Sequence, residues 1–365
     1  MIYKIILYVA IFLISAFLSY IFTLWMKKIS FKLNILDYPN EDRKVHDRPI
    51  PLLGGWAIYI VFVLMMIVFC LFFKNWIFSP SVDIFQIIGI LVAGFIVMLG
   101  GTLDDKYNFS AKKQLIFILL ACIFIIFTGT NIKFITRPGG GVIDLTGPEM
   151  KFFGFNISLF GAIFTFLWLI IITNTTKLLD GLDGLASGIT EIGMFVLFIV
   201  SLFWDKPYTG TSIMILIFAG AIFGFLILNF FPAKIFLGNG GSNLLGLMLG
   251  ALSIISGAKI ATALLVMGLP LLDMAWVIIQ RIIKKESPFT HADKKHLHFR
   301  LLEIGFSKKQ SVLFMYFVSI VFGLVALFQN TIGKISTILA LFIFTICIFF
   351  YIYKKRDEKK VLDNN

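Results

Sequence analysis

Charge is scarce in this chain: Asp, Glu, Lys and Arg make up 14% of its residues, against 59% hydrophobic. Soluble domains average about 25% charged and 45–50% apolar, so an ordinary soluble globule is excluded. Only three cysteines occur, Cys70, Cys122 and Cys347, each inside an apolar run. Free Cys so placed behaves as a small hydrophobe, which argues against a disulfide framework and against a thiolate metal site. Strict apolar–polar alternation is missing, and with it the pattern of a transmembrane barrel. Repeats, low-complexity tracts and long linkers are missing too, so residues 1–365 read as one domain. Acids are outnumbered by bases, 20 to 32, for a net charge of +12. In so apolar a chain that excess marks a face toward anionic lipid head groups and an anionic soluble substrate, not a nucleic-acid protein.

What the chain has in abundance is apolar runs. A helical span needs about 20 mostly apolar residues. That ruler predicts spans at 3–26, 52–73, 85–103, 115–130, 157–173, 189–203, 211–228, 244–256, 260–280, 311–328 and 335–353. The fold class is therefore an all-α polytopic integral membrane protein with about 10–11 transmembrane helices. With the N-terminus outside and the C-terminus inside, 24 of the 32 Lys and Arg residues fall on the inner side, as the positive-inside rule requires. Segment 131–156, with Pro138, Gly139-Gly140-Gly141 and Pro148, reads as a small outward hairpin. Residues 284–310 read as a cytoplasmic loop, and 354–365 as a basic tail.

Five polar motifs interrupt the apolar runs, and this topology puts all of them on the inner face. The first is Arg43-Lys44-Val45-His46-Asp47-Arg48, followed by Pro49, Pro51 and Gly54-Gly55. Asp104-Asp105 with Lys112 and Lys113 follows span three. Asn174-Thr-Thr-Lys177-Leu-Leu-Asp180-Gly-Leu-Asp183-Gly follows span five. Phe236-Leu-Gly-Asn239-Gly-Gly-Ser242 follows span seven, and His291-Ala-Asp-Lys-Lys-His296-Leu-His298-Phe-Arg300 follows span nine. Each has a bland reading: a topogenic basic loop, helix-end acids, a capped turn, close helix packing at the glycines, and solvated surface histidines. Together they suit one chemistry. Adjacent carboxylates suit a divalent cation, and glycine loops with Lys, Arg and His suit phosphates. Beside a membrane, that combination suggests phosphoryl transfer between a nucleotide and a lipid-borne acceptor.

These residues resemble the polyprenyl-phosphate N-acetylhexosamine-1-phosphate transferases, most closely the bacterial WecA/TagO branch, with MraY more distant. The resemblance runs from about residue 3 to 353. It implies transfer of N-acetylhexosamine 1-phosphate, most readily GlcNAc 1-phosphate, from a UDP-sugar to undecaprenyl phosphate, with release of UMP. It further implies an active-site cleft facing the cytoplasm of a bacterial inner membrane, a homodimer, and Mg²⁺ as cofactor. By the same resemblance Asp104 and Asp105 are catalytic, and Asp180, Asp183, Lys44, His46, His296, His298 and Arg300 bind the nucleotide sugar. Lys112, Asn174 and Lys177 would position phosphates or the acceptor.

Two positions depart from the family at the metal. Asn239 stands where relatives carry Asp, and Lys177 where they carry a second Asn, a formal change of +2 at the implied cation site. That keeps a second reading open, a catalytically impaired binder of lipid diphosphates or UDP-sugars. A transporter is a third, with Asp273 beside Pro270 the mid-span acid to watch.

Overall fold

The computed structural model describes residues 2–39, 48–78, 82–137, 140–152, 155–204, 210–257, 259–286 and 295–363. Lys44, His46 and His291 lie outside the described residues. The first half runs α1 (Ile2–Leu33), β1 (Leu36–Asp37), β2 (Ile50–Pro51), α2 (Gly54–Phe72), α3 (Lys74–Ile77), α4 (Ile84–Tyr107) and α5 (Ala111–Phe127). Strands β3 (Phe134–Thr136), β4 (Val142–Asp144), β5 (Glu149–Phe152) and β6 (Phe155–Ser158) come next. Then follow α6 (Leu159–Leu179), α7 (Leu185–Trp204), α8 (Gly210–Asn229), α9 (Gly238–Ile255), α10 (Ile260–Val266) and α11 (Gly268–Ile283). The chain closes with α12 (Leu297–Glu303), α13 (Lys308–Phe328) and α14 (Thr331–Asp363).

Each of the eleven apolar segments coincides with helix, because hydrocarbon offers backbone groups no partner outside their own ladder. Among the described residues eight helices are long and apolar enough to cross a membrane: α1, α2, α4, α6, α7, α8, α13 and α14. Segment 260–280 is not one straight span. It is the pair α10 and α11, bent by 75° at Met267, just ahead of Pro270. Helix α5, at 17 residues, and α9, at 18, complete the set. Helix α9 is the central rod: every residue from Gly238 to Ile255 is buried except Asn239. Helix α8 is nearly as enclosed, while α1, α13 and α14 turn large apolar side chains such as Phe17, Phe317 and Phe342 outward, as lipid contact demands.

The helices outrun their apolar stretches. Asp104 and Asp105 belong to the last turns of α4, and Asn174 and Lys177 to the last turns of α6, not to the loops after them. Residues 238–242 are the first turn of α9, and the basic tail continues α14 as far as Asp363. A hydropathy ruler stops at the first polar residue, whereas backbone hydrogen bonding does not. The 131–156 hairpin is two hairpins, β3–β4 and β5–β6, and a third short ladder pairs Leu36 with Pro51 and Asp37 with Ile50.

Candidate active site

Glycines bring the polar helix ends together. A Cβ on Gly101 would lie 2.0 Å from the backbone nitrogen of Gly240, and one on Gly55 would lie 2.3 Å from the Cα of Gly241. Helices α2 and α4 therefore touch the first turn of α9 backbone to backbone, so the close-packing reading of these glycines holds. The same contact builds a site. Asn239 N–H donates to both carboxylate oxygens of Asp105, at 3.2 and 3.1 Å, and its side-chain Nδ2 donates to Oδ1 at 2.8 Å. A carboxylate at a helix N-terminus is where the helix dipole favours an anion.

Asp104 is held differently. Its Oδ1 accepts from Phe109 N and from Gln114 Nε2, both at 2.9 Å, while its Oδ2 is buried without a protein partner. The other end of the Gln114 amide accepts from Lys177 Nζ at 2.5 Å. The Lys177 ammonium thus sits among three acids, within electrostatic reach of Asp104, Asp105 and Asp180. Gln114 is the residue that sequence reasoning missed. Its only signal is an amide in the first turn of α5, next to Lys112 and Lys113, whose own side chains are exposed.

The Asp180–Gly184 turn links α6 to α7. Asp180 opens to solvent on one side yet is crowded on the others. Desolvation pushes its pKa up to about 7, helped by repulsion from Asp37 and Asp183 and opposed by Lys177. Asp183 Oδ2 accepts from Ala233 N at 2.9 Å, which ties the turn to the segment after α8. Gly184 adopts φ +78°, a conformation that suits glycine, and its carbonyl accepts from Tyr316 Oη. Asn174, half-buried, donates its side-chain N–H back to Ile170 O at 2.9 Å.

The histidine motif docks on this turn. His298 lies at the start of α12, buried, with neither ring nitrogen partnered. A Cβ on Gly181 would stand 2.5 Å from its Nε2, so only glycine lets the ring approach. Burial, then the neighbouring His296, lowers the His298 pKa to about 3, so its ring is neutral near pH 7. His296 Nδ1 pairs with Asp273 Oδ2 at 2.9 Å, and Leu297 N donates to Asp273 Oδ1 at 2.9 Å. The mid-span acid is therefore an anchor for the histidine motif. Arg300 sits two residues beyond His298, a spacing that turns the two apart on a helix. It donates to Lys295 O at 2.6 Å and to Gln280 Oε1 at 3.2 Å, and it stacks 5.4 Å from the Phe349 ring centroid.

Among the described residues, no three His, Cys, Asp or Glu side chains are arranged to hold a metal ion. The Asn239 amide is occupied with Asp105, and an ammonium stands between the acids. The residues present do not fit a divalent cation caged by the protein alone.

Residues 87–257 match the model of glycosyl transferase family 4. The chain is 34% identical over 349 residues, 94% of its length and 89% of the relative's, to a Bacillus subtilis (strain 168) protein named "Probable undecaprenyl-phosphate N-acetylglucosaminyl 1-phosphate transferase". This chain belongs to the polyprenyl-phosphate N-acetylhexosamine-1-phosphate transferases. The transferase is also 30% identical over 330 residues, 83% of its length and 77% of the relative's, to the decaprenyl-phosphate N-acetylglucosaminephosphotransferase of Mycolicibacterium smegmatis. To the undecaprenyl-phosphate alpha-N-acetylglucosaminyl 1-phosphate transferase of Escherichia coli K12 it is 25% identical over 363 residues, 96% of its length and 91% of the relative's. Within the transferase, the motifs at 104–105, 174–184, 239 and 298 meet at one end of the bundle, while Arg300 is engaged with α11 and α14.

Proposed function

We propose that this transferase moves GlcNAc 1-phosphate from UDP-GlcNAc to undecaprenyl phosphate and thereby starts a lipid-linked envelope glycan. The observation that carries the reading is the 34% identity, over nearly the full length of both chains, to the Bacillus subtilis relative, whose name gives an undecaprenyl-phosphate acceptor and an N-acetylglucosaminyl 1-phosphate group. A non-bridging oxygen of the lipid phosphate attacks the phosphorus that bears the sugar. The bond from that phosphorus to the UMP oxygen breaks, and UMP leaves with the electron pair. A phosphate monoester has its second pKa near 6, so at pH 7 the nucleophile is already mostly ionised. The larger barrier is the approach of two anions, which positive charge and fixed N–H donors lower.

The roles divide accordingly. Lys177 supplies positive charge beside the acids, and the α9 N-terminus supplies oriented N–H dipoles. Asp104, through its free Oδ2, and Asp105 place the acceptor. Asp183 and Asp180 receive the nucleoside end, with His298 as a neutral donor to phosphate oxygen and His296 fixing its loop. Lys44 and His46 would bind the nucleotide sugar, and Lys112 and Asn174 would position phosphates or the acceptor, whereas Arg300, held by Gln280 and Phe349, braces the histidine motif. Mg²⁺, the ion the resemblance implies, would add positive charge beside Asp104, Asp105 and Asp180 when bound. The experiment is UMP release from purified protein given undecaprenyl phosphate and UDP-GlcNAc. Binding of both substrates without UMP would overturn the proposal in favour of an inactive binder.

The proposed orientation, N-terminus out and active site toward the cytoplasm of a bacterial inner membrane, rests on the Lys/Arg count. In intact cells Lys113→Cys should resist an impermeant thiol reagent and react only after the membrane is opened. Labelling from outside would invert the site. A pH dependence follows from Asp180. Its carboxyl is neutral below about pH 7 and gains charge above it, which opposes a diphosphate. The KM for UDP-GlcNAc should therefore rise as pH climbs through about 7, and Asp180→Asn should flatten that rise. An unchanged KM profile in the variant would exclude this role.

A further inference from the structure

Gln114 joins two charges that belong to different helices. Its Oε1 accepts from Lys177 Nζ at 2.5 Å, and its Nε2 donates to Asp104 Oδ1 at 2.9 Å and to Phe109 O at 3.1 Å. The partners dictate which way the amide points. An ammonium only donates and a carboxylate or carbonyl only accepts, so a flipped amide would oppose all three. Glutamine is therefore matched to the place in both length and polarity. A carboxylate here would pair directly with Lys177 and repel Asp104, and a second cation would repel Lys177.

The bridge has a consequence for chemistry. Lys177 and Asp104 meet through the amide, so neither spends its full charge on the other. The ammonium keeps two hydrogens beyond the one given to Gln114. Asp104, with Oδ1 doubly occupied, keeps Oδ2 buried and unpartnered. A positive group and a negative group are thus held at a set separation, one suited to an anionic phosphate oxygen and one to a proton or cation that the acceptor brings with it. An oriented charge costs no reorganisation during the reaction, which is where such groups are most effective.

We infer that Gln114 is a positioning residue of the transfer, holding the Lys177 ammonium in register with the Asp104 carboxylate. The inference rests on the transferase reading above. The competing role is purely structural: Gln114 also bonds Phe109 O and so closes the turn between α4 and α5.

A double-mutant cycle separates the two. Steady-state UMP release would be measured for the parent protein, Gln114→Met, Lys177→Met and the double variant, with thermal stability in detergent measured alongside. Gln114→Glu, nearly isosteric, serves as a second probe should Gln114→Met fold poorly. Gln114→Met should lower kcat by about tenfold or more, the scale of losing a charge-assisted hydrogen bond, with little change in the KM for UDP-GlcNAc. In the Lys177→Met background the same change should cost much less, because the charge it positions is gone. Gln114→Glu should lower kcat as well, without loss of stability. Equal losses of kcat in both backgrounds would overturn the inference, as would a fall in stability that accounts for the whole effect. Should the parent protein itself release no UMP, the transferase reading fails first and takes the inference with it.

Discussion

Asp105→Asn and Asp104→Asn are each expected to cut UMP release by about 100-fold or more, the scale of removing a positioned catalytic group. The protein should still fold. In Asp104→Asn the Oδ1 position can keep its bonds from Phe109 N and Gln114 Nε2, while the new amide nitrogen falls where Oδ2 has no partner. The change therefore alters the one carboxylate oxygen that has no hydrogen-bond partner. In Asp105→Asn an amide oxygen can still accept from Asn239, but the negative charge at the start of α9 is lost. Near-normal UMP release from both variants, at parental stability, would remove this pair from the mechanism.

Asn239→Asp is expected to tighten divalent-cation binding and to make the stability of the fold depend on the ion. Asn239 Nδ2 donates to Asp105 Oδ1 at 2.8 Å, so an aspartate would set two carboxylates at that separation. Like charges so close cannot both ionise without a proton or cation between them. Without divalent cation the variant should melt several degrees below the parent, and added Mg²⁺ should restore it, since an ion bound only by the folded form stabilises that form. The parent should respond far less, because its own amide already satisfies Asp105. Mn²⁺ titration followed by electron paramagnetic resonance gives a readout independent of turnover. Equal metal response in the two proteins would show that position 239 does not control cation binding. Asn239→Asp combined with Lys177→Asn should bind the ion more tightly still, as the two positions share one neighbourhood and couple.

Much of this site was legible from residue order. Asp104, Asp105, Lys177, Asp180, Asp183, Asn239 and His298 all stand out as polar groups among apolar runs, and all take part in the converging helix ends. The departure at Asn239 was legible as a lost charge, though not as a clasp on Asp105. Gln114 was not legible, because an amide near a membrane boundary has no signature until its partners are known. Asp273 was visible as an odd mid-span acid, while its work, anchoring His296 and the first N–H of α12, depends on the chain after α11 folding back onto that helix. Arg300 illustrates the reverse: it reads as a phosphate ligand by motif, yet it leans on Gln280 and Phe349.

By itself the sequence determined the membrane class, the family and the set of polar motifs. Hydrocarbon thickness is matched by run length along the chain, and a family signature is a matter of residue identity and order. Only the tertiary structure decided which charges meet. The bond from Lys177 to Gln114 closes across 63 residues, and that from Asn239 to Asp105 across 134. At such separations the pairing is set by which helices pack on α9, and at Gly55, Gly101, Gly240 and Gly241 that packing depends on backbone contacts that exist only once the bundle has formed.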